Sequence, residues 1–531
     1  MTSHDFRITG AGDQQSVSAL FHWLVLVIFI VATVALAVYG LHLYVLLYLF
    51  LRKRGENRSR QTTTIEAYRK STPEDRWPIV TSQIPLYNEA SVAERVIRAV
   101  AGMDYAAGRH EIQVLDDSDD VTVERVDQVV RTLARRGVDI KVVRRETREG
   151  YKAGALAHGL AQARGEFVAV FDADFVPPED FLRRAVPLLA VEPHLACLQG
   201  RWAHLNRDDS WMTRAQALGI DGHFAIEQGA RAWNGLMLNF NGTAGVWRRS
   251  AIEDPAVGGW SGDTLTEDLD LSYRAQLAGW KLDYCLDLAC PAELPGDILA
   301  LKSQQRRWAT GSIQTACKLL PRIWRAPLGF GEKLEATLHL THYSVSLWML
   351  LLALVARPVV FAMTGHPLLG HWFWSMWLVV LVASLAPPLT YAFARYSLDG
   401  RWGGLAAIPG MFVLGCGLCL SNGLAVLRGL KLRGGEFVRT PKSGSLGGRA
   451  RGLYRTATGR MWALEFALGL YALFCFVVYY LDIHRGFSFF LLIYAVGFLV
   501  TAYLSMPADF GIGGRSSATE TPVADRPALE A

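Results

Sequence analysis

The apolar run Leu20–Leu51 constrains this chain more than any other stretch. It exceeds the roughly 20 residues that carry a helix across a bilayer core. It is too long for the core of a signal peptide, no basic region precedes it and no small-residue cleavage site follows it, so it reads as a signal anchor. Arg52, Lys53, Arg54, Arg58 and Arg60 come next. The positive-inside bias then keeps residue 52 onward in the cytosol and leaves the polar, slightly acidic residues 1–18 outside. The chain has 531 residues, 51% of them hydrophobic and 19% charged, an apolar composition for a soluble protein.

From about residue 77 to 320 the pattern changes. Apolar, β-rich runs at Ile79–Pro85, Ile112–Leu115, Ile140–Val143, Phe167–Phe171 and Ala196–Gln199 read as strands, with helical patterns between them at Ser91–Ala101, Thr122–Arg135, Ala153–Ala163 and Pro178–Leu189. Such alternation predicts an open, largely parallel α/β sheet. Ligands bind such sheets at the carboxyl ends of the strands. The polar clusters Tyr87-Asn88-Glu89, Asp116-Asp117 and Asp172-Ala173-Asp174 stand there.

Apolar runs resume at Leu338–Met363, His371–Phe393, Leu405–Val426, Trp462–Leu481 and Phe487–Leu504. The segment 428–460 is rich in Lys and Arg and belongs in the cytosol, as does the region ending near 325. An even number of crossings must separate the two, yet three apolar runs lie between them. Leu405–Val426 is the weakest, with Pro409 and several glycines in or beside it. It is expected to lie in the interface or to re-enter. The organisation is therefore 1–18 extracytoplasmic, 19–51 transmembrane, 52–325 a cytosolic domain, 337–395 two transmembrane helices, 404–445 an interfacial or re-entrant helix with a following loop, 462–505 two transmembrane helices, and 506–531 a disordered tail.

The net charge of +5 is mild, and the basic residues cluster beside apolar runs, which does not point to a nucleic-acid binder. The 7 Cys are scattered. Cys416 and Cys419 have CxxC spacing inside an apolar run without a second pair, so they read as packing residues and not as a metal or redox site.

Candidate chemistry lies in a few short motifs, each weak alone. Asp172 and Asp174 put two hard oxygen donors on one side of a strand end, suited to Mg²⁺ or Mn²⁺ bridging a diphosphate. Asp116-Asp117 can serve a nucleobase or ribose, or cap a helix. Thr266-Glu267-Asp268 opens a helix, with Thr266 as a cap; a carboxylate there can also act as a general base. Lys152 stands at a helix start that favours an anion. If Gln304–Trp308 is helical, Gln304, Arg307 and Trp308 share one face. A guanidinium grips phosphate oxygens, and an indole can stack on a sugar, or both can anchor the helix at a membrane surface.

Taken in order, Gln83–Glu89, Asp116–Ser118, Gly150–Leu156, Asp172–Asp174, Phe240–Thr243, Thr266–Asp268 and the QxxRW pentapeptide Gln304–Trp308 resemble the inverting glycosyltransferases of family 2, among them the membrane-embedded processive synthases. The likeness covers about 77–445 and is nearest to cellulose synthase-like glucomannan and glucan-backbone synthases. It implies a GT-A, Rossmann-like cytosolic domain inserted between transmembrane α-helices. Pro85, Tyr87, Glu89, Asp117, Lys152, Asp172, Gln304 and Arg307 would bind the nucleotide sugar, with Asp117 at the base and Glu89 at the ribose. Asp172 and Asp174 would hold Mg²⁺ or Mn²⁺, and Asp268 would be the catalytic base. Trp308, Phe240, Asn241, Gly242, Thr243 and Glu267 would line the acceptor side. Phe437, Arg439, Thr440 and Lys442 look like a gating loop, although Phe-Val-Arg-Thr-Pro-Lys departs from the bacterial cellulose synthase form. The resemblance implies processive elongation of a β-linked polysaccharide from UDP-glucose first, GDP-mannose or GDP-glucose second, with passage of the product through the chain's own helices. The runner-up is a single-sugar transfer to ceramide or diacylglycerol. The partners implied are a nucleotide sugar, a glycan acceptor and the lipid bilayer of the plasma (inner) membrane, with no nucleic acid and with accessory export proteins left open.

Overall fold

The computed structural model describes residues 11–363, 367–402, 404–431, 434–435, 460–481 and 485–507. The expected gating-loop residues Phe437, Arg439, Thr440 and Lys442 lie outside them, as do the polar N-terminus before residue 11 and the tail after 507.

Seven strands form one sheet: β1 (Val80–Leu86), β2 (His110–Asp116), β3 (Ile140–Val143), β4 (Phe167–Val170), β5 (Leu195–His204), β6 (Gly245–Arg248) and β7 (Lys281–Ala292), in the order β3-β2-β1-β4-β6-β5-β7. Strands β1, β2, β3 and β4 run parallel, as their crossover helices require. The short β6 reverses the pattern and pairs antiparallel with both β4 and β5. The sheet is therefore mixed. β6 and β7 had no counterpart among the strands expected from sequence. β6 carries only four residues, and β7 is interrupted by Asp283 and Asp287, so neither presents a clean apolar run.

Helices Ala93–Ala101, Thr122–Ala134 and Phe181–Ala190 bury Val96, Ile97, Val129 and Leu182 against one face. Helix Tyr151–Leu160 and part of helix Glu267–Leu277 cover the other, where Leu46, Leu47 and Phe50 of the first long helix also pack. An α/β sheet covered on both faces in this way aims its strand ends at a cleft.

The first helix does not stop at the membrane boundary expected at residue 51. It runs unbroken over Ala11–Ser71, about 90 Å at 1.5 Å per residue. Two of the basic residues read as topology signals have partners on β7: Arg58 pairs with Asp287 at 2.7 Å and Arg60 with Asp283 at 3.0 Å. Gln61 Nε2 donates to the Tyr284 carbonyl beside them at 2.9 Å. The apolar part of the helix is thus continuous with a strut fastened to the sheet edge.

Among the described residues five helices are long and apolar enough to cross a membrane, or six if the pair Phe330–Thr341 and Ser344–Val360, bent by 66°, counts as one span. Leu405–Lys431 is one of the five, but 61% of its apolar window is buried, against 22% to 39% in the other four. Leu414 and Leu418 pack with Ile298 and Leu301, and Ala425 and Val426 with Ala309 and Ile313, so it lies lengthwise along helix Ile298–Arg325. A Cβ on Gly429 would stand 2.8 Å from the Thr310 carbonyl, so this close approach needs glycine. Cys416 and Cys419 are buried in this helix, and among the described residues no group of three or more His, Cys, Asp or Glu could hold a metal alone.

A buried ionic link joins the α/β domain to the apolar helices that follow it. Arg231 pairs with Glu227 at 3.0 Å and with Glu335 of helix Phe330–Thr341 at 2.7 Å, with 2% of the Arg231 side chain exposed. Replacing Arg231 by Met leaves the buried Glu335 carboxylate without its guanidinium, close to the half-buried Glu227, and should cost about 3–5 kcal/mol. Thermal unfolding in detergent checks it: an unchanged midpoint would show that the pair contributes nothing.

Candidate active site

The carboxyl ends of β1, β2 and β4 open into a cleft of about 1210 Å³, including its solvent mouth. Fourteen residues singled out from sequence line it: Pro85, Tyr87, Glu89, Asp117, Lys152, Asp172, Asp174, Asn241, Gly242, Glu267, Asp268, Gln304, Arg307 and Trp308. They come from segments spread over more than 200 positions, so only the fold gathers them.

At one end, Asn88 takes a left-handed conformation, φ 54°, which asparagine tolerates well. Its N–H donates to Ser118 Oγ at 2.9 Å and its amide nitrogen to Asp119 Oδ1 at 2.8 Å, tying the turn after β1 to the loop after β2. The two neighbouring aspartates separate in role. Asp116 is buried and bound by Arg144 at 2.8 Å, while Asp117 lines the cleft and is held by Arg145 through Nε at 3.0 Å and through Nη2. The Arg148 guanidinium lies 3.2 Å over the Tyr87 ring. Arg145 and Arg148 were missed from sequence, because the run Arg144–Arg148 reads as an ordinary charged loop.

At the centre stands a dense group of charges. Lys152 is not a solvated lysine: its Nζ lies 2.6 Å from Asp172 Oδ1, 3.7 Å from Glu267 Oε1 and donates to the Gly242 carbonyl at 2.9 Å. Burial opposes its charge, but Asp172 and Glu267 outweigh burial and raise its pKa. Burial pushes the Asp172 carboxyl up; Lys152 pulls it down and Asp174 adds to the rise. The pKa of Asp268 is pushed up to about 7, first by burial and then by Glu267, while Lys152 and Arg307 oppose the shift. Gly242 has φ 82°, and a Cβ there would stand 2.9 Å from Asp268 Oδ2. Only glycine fits so close to this carboxylate.

Two expectations need correction. Phe240 and Thr243 do not line the acceptor side, because both are fully buried. Phe240 packs edge-on against Trp247, and Thr243 Oγ1 accepts from the Asp172 N–H at 2.8 Å, so they hold the neighbouring strand ends. Thr266 makes no side-chain cap on helix Glu267–Leu277; its hydroxyl faces Thr315 of the Gln304–Trp308 helix at 3.2 Å.

The far wall is built by helix Ile298–Arg325, capped by Asp297, which accepts from the N–H groups of Leu299 and Ala300. Its spacing brings Gln304, Arg307 and Trp308 to the cleft together, as expected. Trp202 from β5 stands 6.3 Å from Trp308, and His204 continues the wall, its Nε2 2.9 Å from Asp221. Asp221 also binds Arg395 of helix Pro367–Asp399 at 2.6 Å. Neither Trp202 nor His204 is conspicuous in sequence, since they sit on a long strand among ordinary alternating residues.

Asp172 and Asp174 are hard oxygen donors in a cleft crowded with carboxylates. Since no three such groups converge among the described residues, a divalent cation there would complete its shell with substrate phosphate oxygens and water, as Mg²⁺ commonly does. The residues fit a metal of that kind.

The α/β sheet thus sets acidic strand ends opposite a far wall that carries a guanidinium and indole rings. Residues 78–311 match the family described as "Glycosyltransferase like family 2". The chain is 42% identical over 253 residues to glucomannan 4-beta-mannosyltransferase 2 of Arabidopsis thaliana, covering 47% of each protein. It is 40% identical over 284 residues to a probable glucomannan 4-beta-mannosyltransferase 1 of the same plant, covering 53% of this chain and 51% of the relative. The chain thus spans about half the length of the curated relatives it matches. Among solved structures, mannosyltransferase PcManGT from Pyrobaculum calidifontis, in complex with GDP-Man and Mn²⁺, superposes at a TM-score of 0.40 with 20% identity over 66% of this chain and 98% of that one. That likeness is too remote to carry an argument.

Proposed function

We propose that this chain is a membrane-embedded inverting glycosyltransferase that adds hexosyl units from a nucleoside diphosphate sugar to a β-linked polysaccharide. The carrying observation is that Asp268 shares one cleft with the Asp172–Asp174 pair and with Arg307. Tyr87, Glu89 and Asp117 take the nucleoside. Asp268 accepts the proton of an acceptor hydroxyl as that oxygen bonds to the anomeric carbon. The electrons of the breaking bond pass to the diphosphate, whose charge Arg307 and Lys152 offset. A divalent ion held by Asp172 and Asp174 supplies further neutralisation of the leaving group when bound. One displacement turns an α-linked donor into a β-linkage.

The curated relatives are named as mannosyltransferases, which favours a mannosyl donor over the glucosyl donor preferred from sequence. The basic residues after the first span favour a cytosolic cleft in a plasma (inner) membrane protein. The lengthwise packing of 408–431 on the Gln304–Trp308 helix favours an interfacial course for that segment, and the resemblance of Phe437, Arg439, Thr440 and Lys442 to a gating loop favours a gate following it. Incubating the purified protein with GDP-mannose, GDP-glucose or UDP-glucose and analysing product size and linkage tests the reading. A polymer with nucleoside diphosphate release is expected; a single-sugar glycolipid as sole product would replace the polymer assignment. Chelating divalent metal removes several kcal/mol of charge stabilisation, so turnover should fall by about a hundredfold or more and return with Mg²⁺ or Mn²⁺. Undiminished turnover would remove the metal role from Asp172 and Asp174.

A further inference from the structure

Glu465 lies one turn inside helix Met461–Leu481, a helix apolar enough to span a membrane, yet none of its surface is exposed. Its Oε2 stands 2.7 Å from Nζ of Lys302, whose side chain is 5% exposed. The same Nζ donates to Ser505 Oγ at 2.6 Å, at the end of helix Arg485–Ser505. One ammonium group thus ties three helices together. Lys302 belongs to the helix that carries Gln304, Arg307 and Trp308 to the cleft, and it precedes Arg307 by little more than one turn. A carboxylate inside an apolar helix is costly and calls for a specific reason. Apolar packing alone would hold the helices together, but an ion pair with a defined direction also fixes how far each slides along and turns about its axis.

We propose that Lys302 and Glu465 are positioning residues: the terminal helical hairpin, through this pair, sets the axial placement of the helix that aims Arg307 at the leaving diphosphate and Trp308 at the acceptor. The inference rests on the transferase reading above. The rest of the helix agrees with a placement set from the membrane side. Thr310 Oγ1 donates to the Ala425 carbonyl at 3.2 Å, and Gln314 bridges the two segments on either side, accepting from the Leu265 N–H at 2.9 Å and donating to the Gly434 carbonyl at 2.7 Å. These are further fixed points along one rod, and Lys302–Glu465 is the charged one nearest the cleft. Nothing in the sequence pattern pairs residues 302 and 465; the signal was a lone Glu in an otherwise apolar run.

The test uses the full-length protein in lipid nanodiscs and reads nucleoside diphosphate release, thermal midpoint, and inhibition by the free nucleoside and by its diphosphate. Glu465→Gln keeps the shape and removes the charge. A shift of about 1 Å at Arg307 can cost about a hundredfold in kcat. The expected result is a loss of that order, with weaker inhibition by the diphosphate and unchanged inhibition by the nucleoside, which contacts the opposite end of the cleft. The paired variant Lys302→Met with Glu465→Leu replaces the ions by apolar groups and should keep the thermal midpoint while kcat stays low. Should either acidic-site variant fail to assemble, Lys302→Arg asks the same question: it keeps the charge but changes the reach, so kcat should fall with the midpoint unchanged. Wild-type kcat in Glu465→Gln, in the apolar pair or in Lys302→Arg overturns the inference. Equal losses of nucleoside and diphosphate affinity also overturn it, because they mark general loosening. Wild-type protein that releases no nucleoside diphosphate from any donor overturns the transferase reading and this inference together.

Discussion

Replacing Asp268 by Asn is expected to lower kcat by about 10²–10⁴-fold, the usual contribution of a positioned general base. Binding of the nucleotide sugar should change little, because Asn keeps the shape beside Gly242 and Lys152. The acidic limb of kcat/KM should disappear with the carboxylate. In the wild type, burial raises the Asp268 pKa, with Glu267 adding to the rise, to about 7. The base acts only when ionised, so kcat/KM should climb as pH rises through 7 and level off above it. A flat profile between pH 5.5 and 8.5, or an Asn variant with wild-type turnover, would move the base elsewhere in the cleft.

Arg307→Ala and Trp308→Ala should separate the two substrates. Loss of the guanidinium removes charge stabilisation of the departing diphosphate and should cost about 10²–10³-fold in kcat. Loss of the indole leaves the diphosphate grip intact and should raise the acceptor KM while donor affinity holds. Trp202 stands beside Trp308 and bounds the same side of the cleft, so some stacking surface remains after the change. Steady-state kinetics with each substrate varied in turn checks both. Equal, mild losses for the two variants would reduce the motif to an anchor of its helix at the membrane surface.

Much of this arrangement was legible in the residues. Alternation located β1 to β5, and strand-end acids located the cleft, because a parallel sheet brings its carboxyl ends to one side whatever the crossover lengths. The 3.6-residue period placed Gln304, Arg307 and Trp308 on one face before any tertiary contact was known. Burial was less legible. Phe240 and Thr243 sit within three residues of Asn241 and Gly242, yet one pair is core and the other lines the cleft. Local sequence does not state which way a tight turn with φ 82° at Gly242 aims its neighbours.

By itself the sequence determined an α/β domain flanked by long apolar helices and which carboxylates, guanidinium and indole stand at its strand ends and on the helix after it, because both follow from short-range periodicity and side-chain chemistry. Only the tertiary structure decided which charges face one another. Asp116 was assigned to Arg144 and Asp117 to Arg145 and the cleft, Arg58 and Arg60 to the sheet edge, and Lys302 to a carboxylate 163 residues away. Ion pairing depends on separations of a few ångströms between groups far apart in the chain, and packing alone sets those separations.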